Sequence, residues 1–130
     1  MLKRLLATGA ALLLFALPLA AQQPAAPMHA ANAGNEMTIT GTVIDVNCFT
    51  TNNASGAAHK GCAEACAKAG VPLAILSSDG TIYMPVSSKA GDAQNARLLP
   101  FVEGKVTVTG THRMASGLHT IEIETVAAAS

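Results

Sequence analysis

The sequence predicts a mainly β domain, one small barrel of five strands interrupted by two helical segments. Three observations predict it. Short runs between residues 37 and 126 alternate apolar with polar side chains, the period of half-buried strands. Clusters of Gly, Asn, Asp and Ser separate those runs, as turns require. One alanine-rich run, "CAEACAKA", breaks the alternation with strong helix formers. Five strands in this order suit a five-stranded OB-like Greek-key barrel. In it a cysteine-bearing helix is inserted between strands 1 and 2, and a short helix lies between strands 3 and 4. A split sheet with the helix packed on one face is the competing arrangement.

Strand 1 is expected in "MTITGTVIDVNCF", with Gly41 marking a bend or bulge and Cys48 at the strand's end. A polar loop, "TTNNASGAAH", follows. The cysteine helix comes next, with Gly70 as its C-cap and Pro72 preventing continuation. "PLAILSS", the turn "DG" and "TIYMPVSS" read as a hairpin. Pro85 cannot donate to a ladder, which places the end of that strand at an edge. Leu98, Leu99, Phe101 and Val102 give "GDAQNARLLPFVEG" the look of a short helix ending at Gly104. "KVTVTGTHRM" and "LHTIEIETV" alternate cleanly and form the closing hairpin. The core these strands can close is thin for roughly 90 ordered residues, so a covalent or metal staple would help.

The ends of the chain read differently. Residues 1–21 have a positive start at Lys3 and Arg4, an apolar run from Leu5 to Leu17 and small residues near Ala21, the three parts of a secretory signal peptide. The run is too short for a good membrane anchor. A mature chain starting near Gln22 is expected, with residues 22–36 as a flexible linker, 37–126 as the domain and 127–130 as a tail. Met28 and His29 in the linker read as part of a solvated tail rather than as ligands.

The whole chain carries 8 basic and 8 acidic residues. Loss of Lys3 and Arg4 with the signal leaves a weak acidic excess. That argues against nucleic acid and anionic membrane surfaces as partners. Phe49, Tyr83 and Phe101 are the only aromatics after the signal, too few for a base- or sugar-stacking platform. Export permits disulfides, and three cysteines leave one thiol unpaired, bound to a metal or bonded to another chain. A periplasmic location is expected.

"GTVIDVNC", "HKGCAEACAKAGVPLAIL", "DGTIY" and "GKVTVTGT" together resemble a group of small secreted bacterial domains. Those are OB-like barrels with a Cys, His-x-x-Cys-x-x-x-Cys, Gly-x-Pro pattern. The resemblance spans residues 38–126. It implies the barrel and a constellation of Cys48, His59, Cys62 and Cys66, and supplies no activity.

The spacing agrees with a shared site. Cys62 and Cys66 lie one turn apart on one helix face. His59 precedes Cys62 by three residues, and Gly61 lets the chain bend so that His59 folds back. A span of His59 to Cys66 that is helical throughout rises about 10.5 Å, close to the limit for one ion. Cys48 completes a Cys3His set, suited to zinc or to copper(I). Asp45 or Asn47 can orient His59 through its second ring nitrogen. The site is read as non-enzymatic, because four protein ligands leave no position for water. Two other readings stay open: a disulfide-stapled binding module without metal, and a thiol redox protein using Cys62, Cys66 and Cys48. Three buried, inert thiols are the plainest possibility. His112 and His119 can approach each other across the last hairpin, as ordinary surface histidines do. Glu122 and Glu124 read as a solvated strand face.

Overall fold

The computed structural model describes residues 33–130. The expected signal peptide, its cleavage point, Met28, His29 and most of the expected linker lie outside the described residues. The elements are β1 (Asn35–Asp45), α1 (Val46–Asn52), a 3-10 turn (Ala57–His59), α2 (Lys60–Lys68), β2 (Leu73–Ser77), β3 (Ile82–Val86), α3 (Asn95–Leu98), a second 3-10 turn (Leu99–Phe101), β4 (Lys105–Ala115) and β5 (Leu118–Ala128). β1 therefore starts before Met37, and β5 runs into the segment expected as a tail.

The five strands close into a barrel in the order β1-β2-β3-β5-β4. All pairings are antiparallel except β3 with β5. This is the OB-like arrangement that the strand pattern predicts, with helices between strands 1 and 2 and between strands 3 and 4. β1 pairs with β4 over Asn35–Thr42 and with β2 over Gly41–Asp45, so the strand changes partners at Gly41. A Cβ there would meet the Leu76 carbonyl at 2.5 Å, which is why only glycine fits the crossing. The bulge itself lies elsewhere, between Thr109 and Gly110 of β4 opposite β5. Arg97 of α3 donates to the Ile123 and Glu124 carbonyls beside it. Pro85 pairs only with β5, because the β2–β3 ladder stops at Ile75 and Tyr83. On its β2 side the proline does sit beyond the ladder.

Alternation fills the barrel. Val43, Leu73, Ile75, Val106, Val108 and Ile121 are fully buried, and Leu98 and Val102, from the segment between β3 and β4, join the same core. α2 adds only Ala63 and Ala67 to this core. These small residues, four apart, let the helix lie close to the barrel and leave the neighbouring Cys62 and Cys66 off the core face. Cys62 is exposed, and Cys48 and Cys66 are half-buried. The thiols are not a buried apolar seam.

One departure from the sequence reading matters for the site. Strand 1 ends at Asp45, and the segment expected to continue it through Phe49 and into a polar loop is α1. Val46, Phe49, Thr50 and Thr51 favour strands by side-chain shape. Capping overrides them. Asp45 is the N-cap and its Oδ1 accepts the Cys48 N–H at 3.0 Å. Asn53 ends the helix in the left-handed conformation and donates its N–H to the Phe49 carbonyl at 2.8 Å. Thr50 and Thr51 turn their hydroxyls back onto the Val46 and Asn47 carbonyls.

The end of α2 is tied to the barrel by one side chain. Asn95 Nδ2 donates to the Ala67 and Val71 carbonyls, and its Oδ1 accepts the N–H of buried Leu73 at 3.0 Å. Asn95→Ala should destabilise the fold by about 1–3 kcal/mol, because it strands a buried backbone donor. A urea titration reads this as a lower midpoint at unchanged slope. An unchanged midpoint would show that the α2 anchor lies elsewhere.

Candidate metal centre

Three elements bring the site together. β1 delivers Asp45 at its end, α1 places Cys48 in its first turn, and the 3-10 turn and α2 carry His59, Cys62 and Cys66. The ligand atoms of Cys48, Cys62 and Cys66 all lie within 4.8 Å of one another. Tetrahedral coordination with bonds of roughly 2.3 Å needs sulfurs about 3.8 Å apart, so small side-chain shifts suffice to close them on one ion. All three cysteines are free thiols.

His59 joins by another route than expected. Gly61 does not bend the chain; it is helical within α2, which starts at Lys60. His59 therefore stays a helical span from Cys66, and its ring groups with Cys48 and Asp45, again within 4.8 Å. Cys48 belongs to both groups. Among the described residues these are the two places where three or more such donors converge.

Neither Asp45 nor Asn47 holds the imidazole. Its Nδ1 lies 2.8 Å from Oε1 of Glu103, a residue that sequence reasoning does not single out. Glu103 sits 44 residues away with nothing local to announce it. The loop before β4 positions it. Glu103 N–H donates to the Val43 carbonyl at 2.8 Å, and Val43 N–H donates to the Gly104 carbonyl at 3.0 Å. These bonds zip the loop onto β1 and hold Glu103 in the left-handed region, φ 59. Its fully buried carboxylate also accepts the Gly56 N–H at 2.6 Å.

A carboxylate only accepts, so Nδ1 is the donor to Glu103, and the neutral imidazole then presents its lone pair at Nε2. Nε2 is buried and has no hydrogen-bond partner. A carboxylate behind one ring nitrogen and an unsatisfied second nitrogen is the geometry of a metal-binding histidine.

Asp45 is 0 % exposed, and its Oδ2 is likewise without a partner. Burial raises its carboxyl, but hydrogen bonds from the Cys48 N–H, the Cys66 thiol and the Asn47 N–H outweigh that and hold it below the ordinary 3.8. The charge acts on the thiols in turn. The hydrogen bond to Asp45, followed by burial, pushes Cys66 up to about 12. Burial first, then the charges of Asp45 and Cys62, raise Cys48. Without a cation these two thiols stay protonated.

His112 and His119 do meet across the last hairpin. Nε2 of one lies 3.1 Å from Nδ1 of the other, and the rings stack 5.2 Å apart with Tyr83 edge-on to both. Glu122 accepts from Ser88 and pairs with Arg113 at 2.9 Å. No helix among the described residues is long and apolar enough to cross a membrane. Comparison with protein-family models, curated proteins and solved structures finds no match to this chain, so its chemistry is read from the site itself.

Proposed function

We propose that this is a secreted metal-binding protein, periplasmic and without catalytic activity, in which Cys48, His59, Cys62 and Cys66 hold zinc or copper(I). The observation that carries the reading is the convergence of three thiols beside a histidine whose Nε2 is buried, unpartnered and aimed by Glu103. Thiolate and imidazole donors select these ions over calcium or magnesium. The raised Cys48 and Cys66 thiols argue against a poised nucleophile or redox thiol, which needs a lowered value. The protein holds or hands on its ion.

Native mass spectrometry of the mature chain, purified from the periplasm without chelator or reductant, tests this. A chain starting near Gln22 with bound metal, reduced in amount in Cys66→Ala or His59→Ala, is the expected result. A metal-free chain lighter by two hydrogens would replace it with a disulfide-stapled binding module, which the closeness of the same thiols permits. A mass that retains residues 1–20 would refute export by a cleaved signal.

A further inference from the structure

We propose that the centre binds two divalent cations bridged by the Cys48 thiolate, one held by Cys48, Cys62 and Cys66 and the other by Cys48, His59 and Asp45. This rests on the metal-binding reading above and adds Asp45 to it as a ligand.

The two donor groups share Cys48 and nothing else. The helical path from His59 to Cys66 keeps the imidazole out of the group formed by the three thiols. A single ion would have to pull these two groups together, whereas two ions need only small side-chain shifts within each group. The second group also contains the two orphaned polar atoms of the site, Asp45 Oδ2 and His59 Nε2. Burying a carboxylate without a counter-charge is costly. Among the described residues no Lys, Arg or His forms an ion pair with Asp45. A cation on Oδ2 and Nε2 satisfies both atoms at once.

Charge balance points the same way. Three thiolates and the Asp45 carboxylate put four negative charges on the ligand atoms, and the buried Glu103 carboxylate behind the imidazole adds a fifth. One divalent ion offsets only two of these in a partly buried site, whereas two offset four. Loading releases three thiol protons to solvent, forms three metal–ligand bonds at each ion, with both ions sharing the Cys48 sulfur, and changes no oxidation state. Cys62 is exposed, so water or an incoming donor can complete the coordination shells. That arrangement suits an ion held for transfer.

The test is titration of the mature, fully reduced chain with Zn²⁺, read by native mass spectrometry, and with Co²⁺, read by electron paramagnetic resonance. Two ions per wild-type chain are expected, falling to one in Asp45→Asn. The asparagine keeps the Oδ1 cap of α1, which circular dichroism checks, and His59→Gln serves as the second variant should the first not fold. The second equivalent of Co²⁺ should quench the signal of the first, because a shared thiolate couples their spins. One ion in the wild type, unchanged in Asp45→Asn, would overturn the bridged pair while leaving a single-ion site. Two ions that persist in both variants, or that show no spin coupling, would also overturn it. No binding at all would sink the metal reading itself.

Discussion

Stripping the ion with a strong chelator should lower the melting temperature by roughly 15–30 °C, taking about 4 kcal/mol for an ion present at a thousand times its Kd and 4–8 °C per kcal/mol for a domain of this size. The effect is large because the helical insertion is lightly held. α2 buries only two alanines in the core. The Val46 N–H bond to the Pro72 carbonyl, the Asn95 side chain and Glu103 add further tethers. Metal held by Cys48, His59, Cys62 and Cys66 cross-links α1 to α2 and acts as the staple that the thin core lacks. Calorimetry with and without chelator, in reductant throughout, reads the shift. Cys66→Ala should melt below the metal-loaded wild type and gain less from added metal. A wild-type melt that ignores the chelator would exclude a stabilising ion. The stripped protein should show a pH signature as well. Folded Cys66 holds its proton to about 12, against an ordinary 9.0. The folded state then binds more protons than the unfolded chain across that window. The contribution is complete below pH 9 and is lost as the pH rises towards 12.

How much of this is legible in the sequence depends on how local each signal is. The barrel is legible, because strand alternation and turn residues are local properties and five such runs have few ways to close. So are the three thiols, since Cys62 and Cys66 lie one turn apart and the chain between Cys48 and His59 is short. The α1 helix is hidden by β-branched and aromatic residues, although its signal is present: Asp45 in the N-cap position and an Asn pair, Asn52 and Asn53, at its end. Reading strand through Phe49 puts Cys48 on the wrong element and leaves Asp45 pointing nowhere in particular. The role of Glu103 has no local signal. It arises from barrel closure, which sets the loop before β4 against β1 through the parallel bridge of Val43 with Val102. Gly61 misleads in the opposite direction. A glycine in a helix start invites a bend, but nothing packs against it and the helix continues through it.

Replacing Glu103 should separate the metal reading from a purely structural one. Glu103→Ala removes the acceptor for Gly56 N–H and for His59 Nδ1–H, leaving donors without partners and costing about 1–3 kcal/mol for each one that stays buried. It also frees the imidazole to rotate or change tautomer, so metal affinity should fall about 10–100-fold. Glu103→Gln keeps the size and one acceptor oxygen while removing the charge that makes the imidazole a better donor. It should lose most of the same affinity with a smaller loss of stability. Glu103→Gly relaxes the left-handed backbone at φ 59 and still removes the carboxylate, so its affinity loss reports the side chain rather than backbone strain. Competition against a chromophoric chelator gives the affinities, and urea titration of the stripped proteins gives the stabilities. If all three variants lose stability and keep wild-type affinity, Glu103 is a loop anchor and His59 is not a ligand. If affinity falls further than stability in the Gln variant, the carboxylate acts through the imidazole on the ion. The left-handed turn that holds Glu103 against β1 is then part of the metal centre.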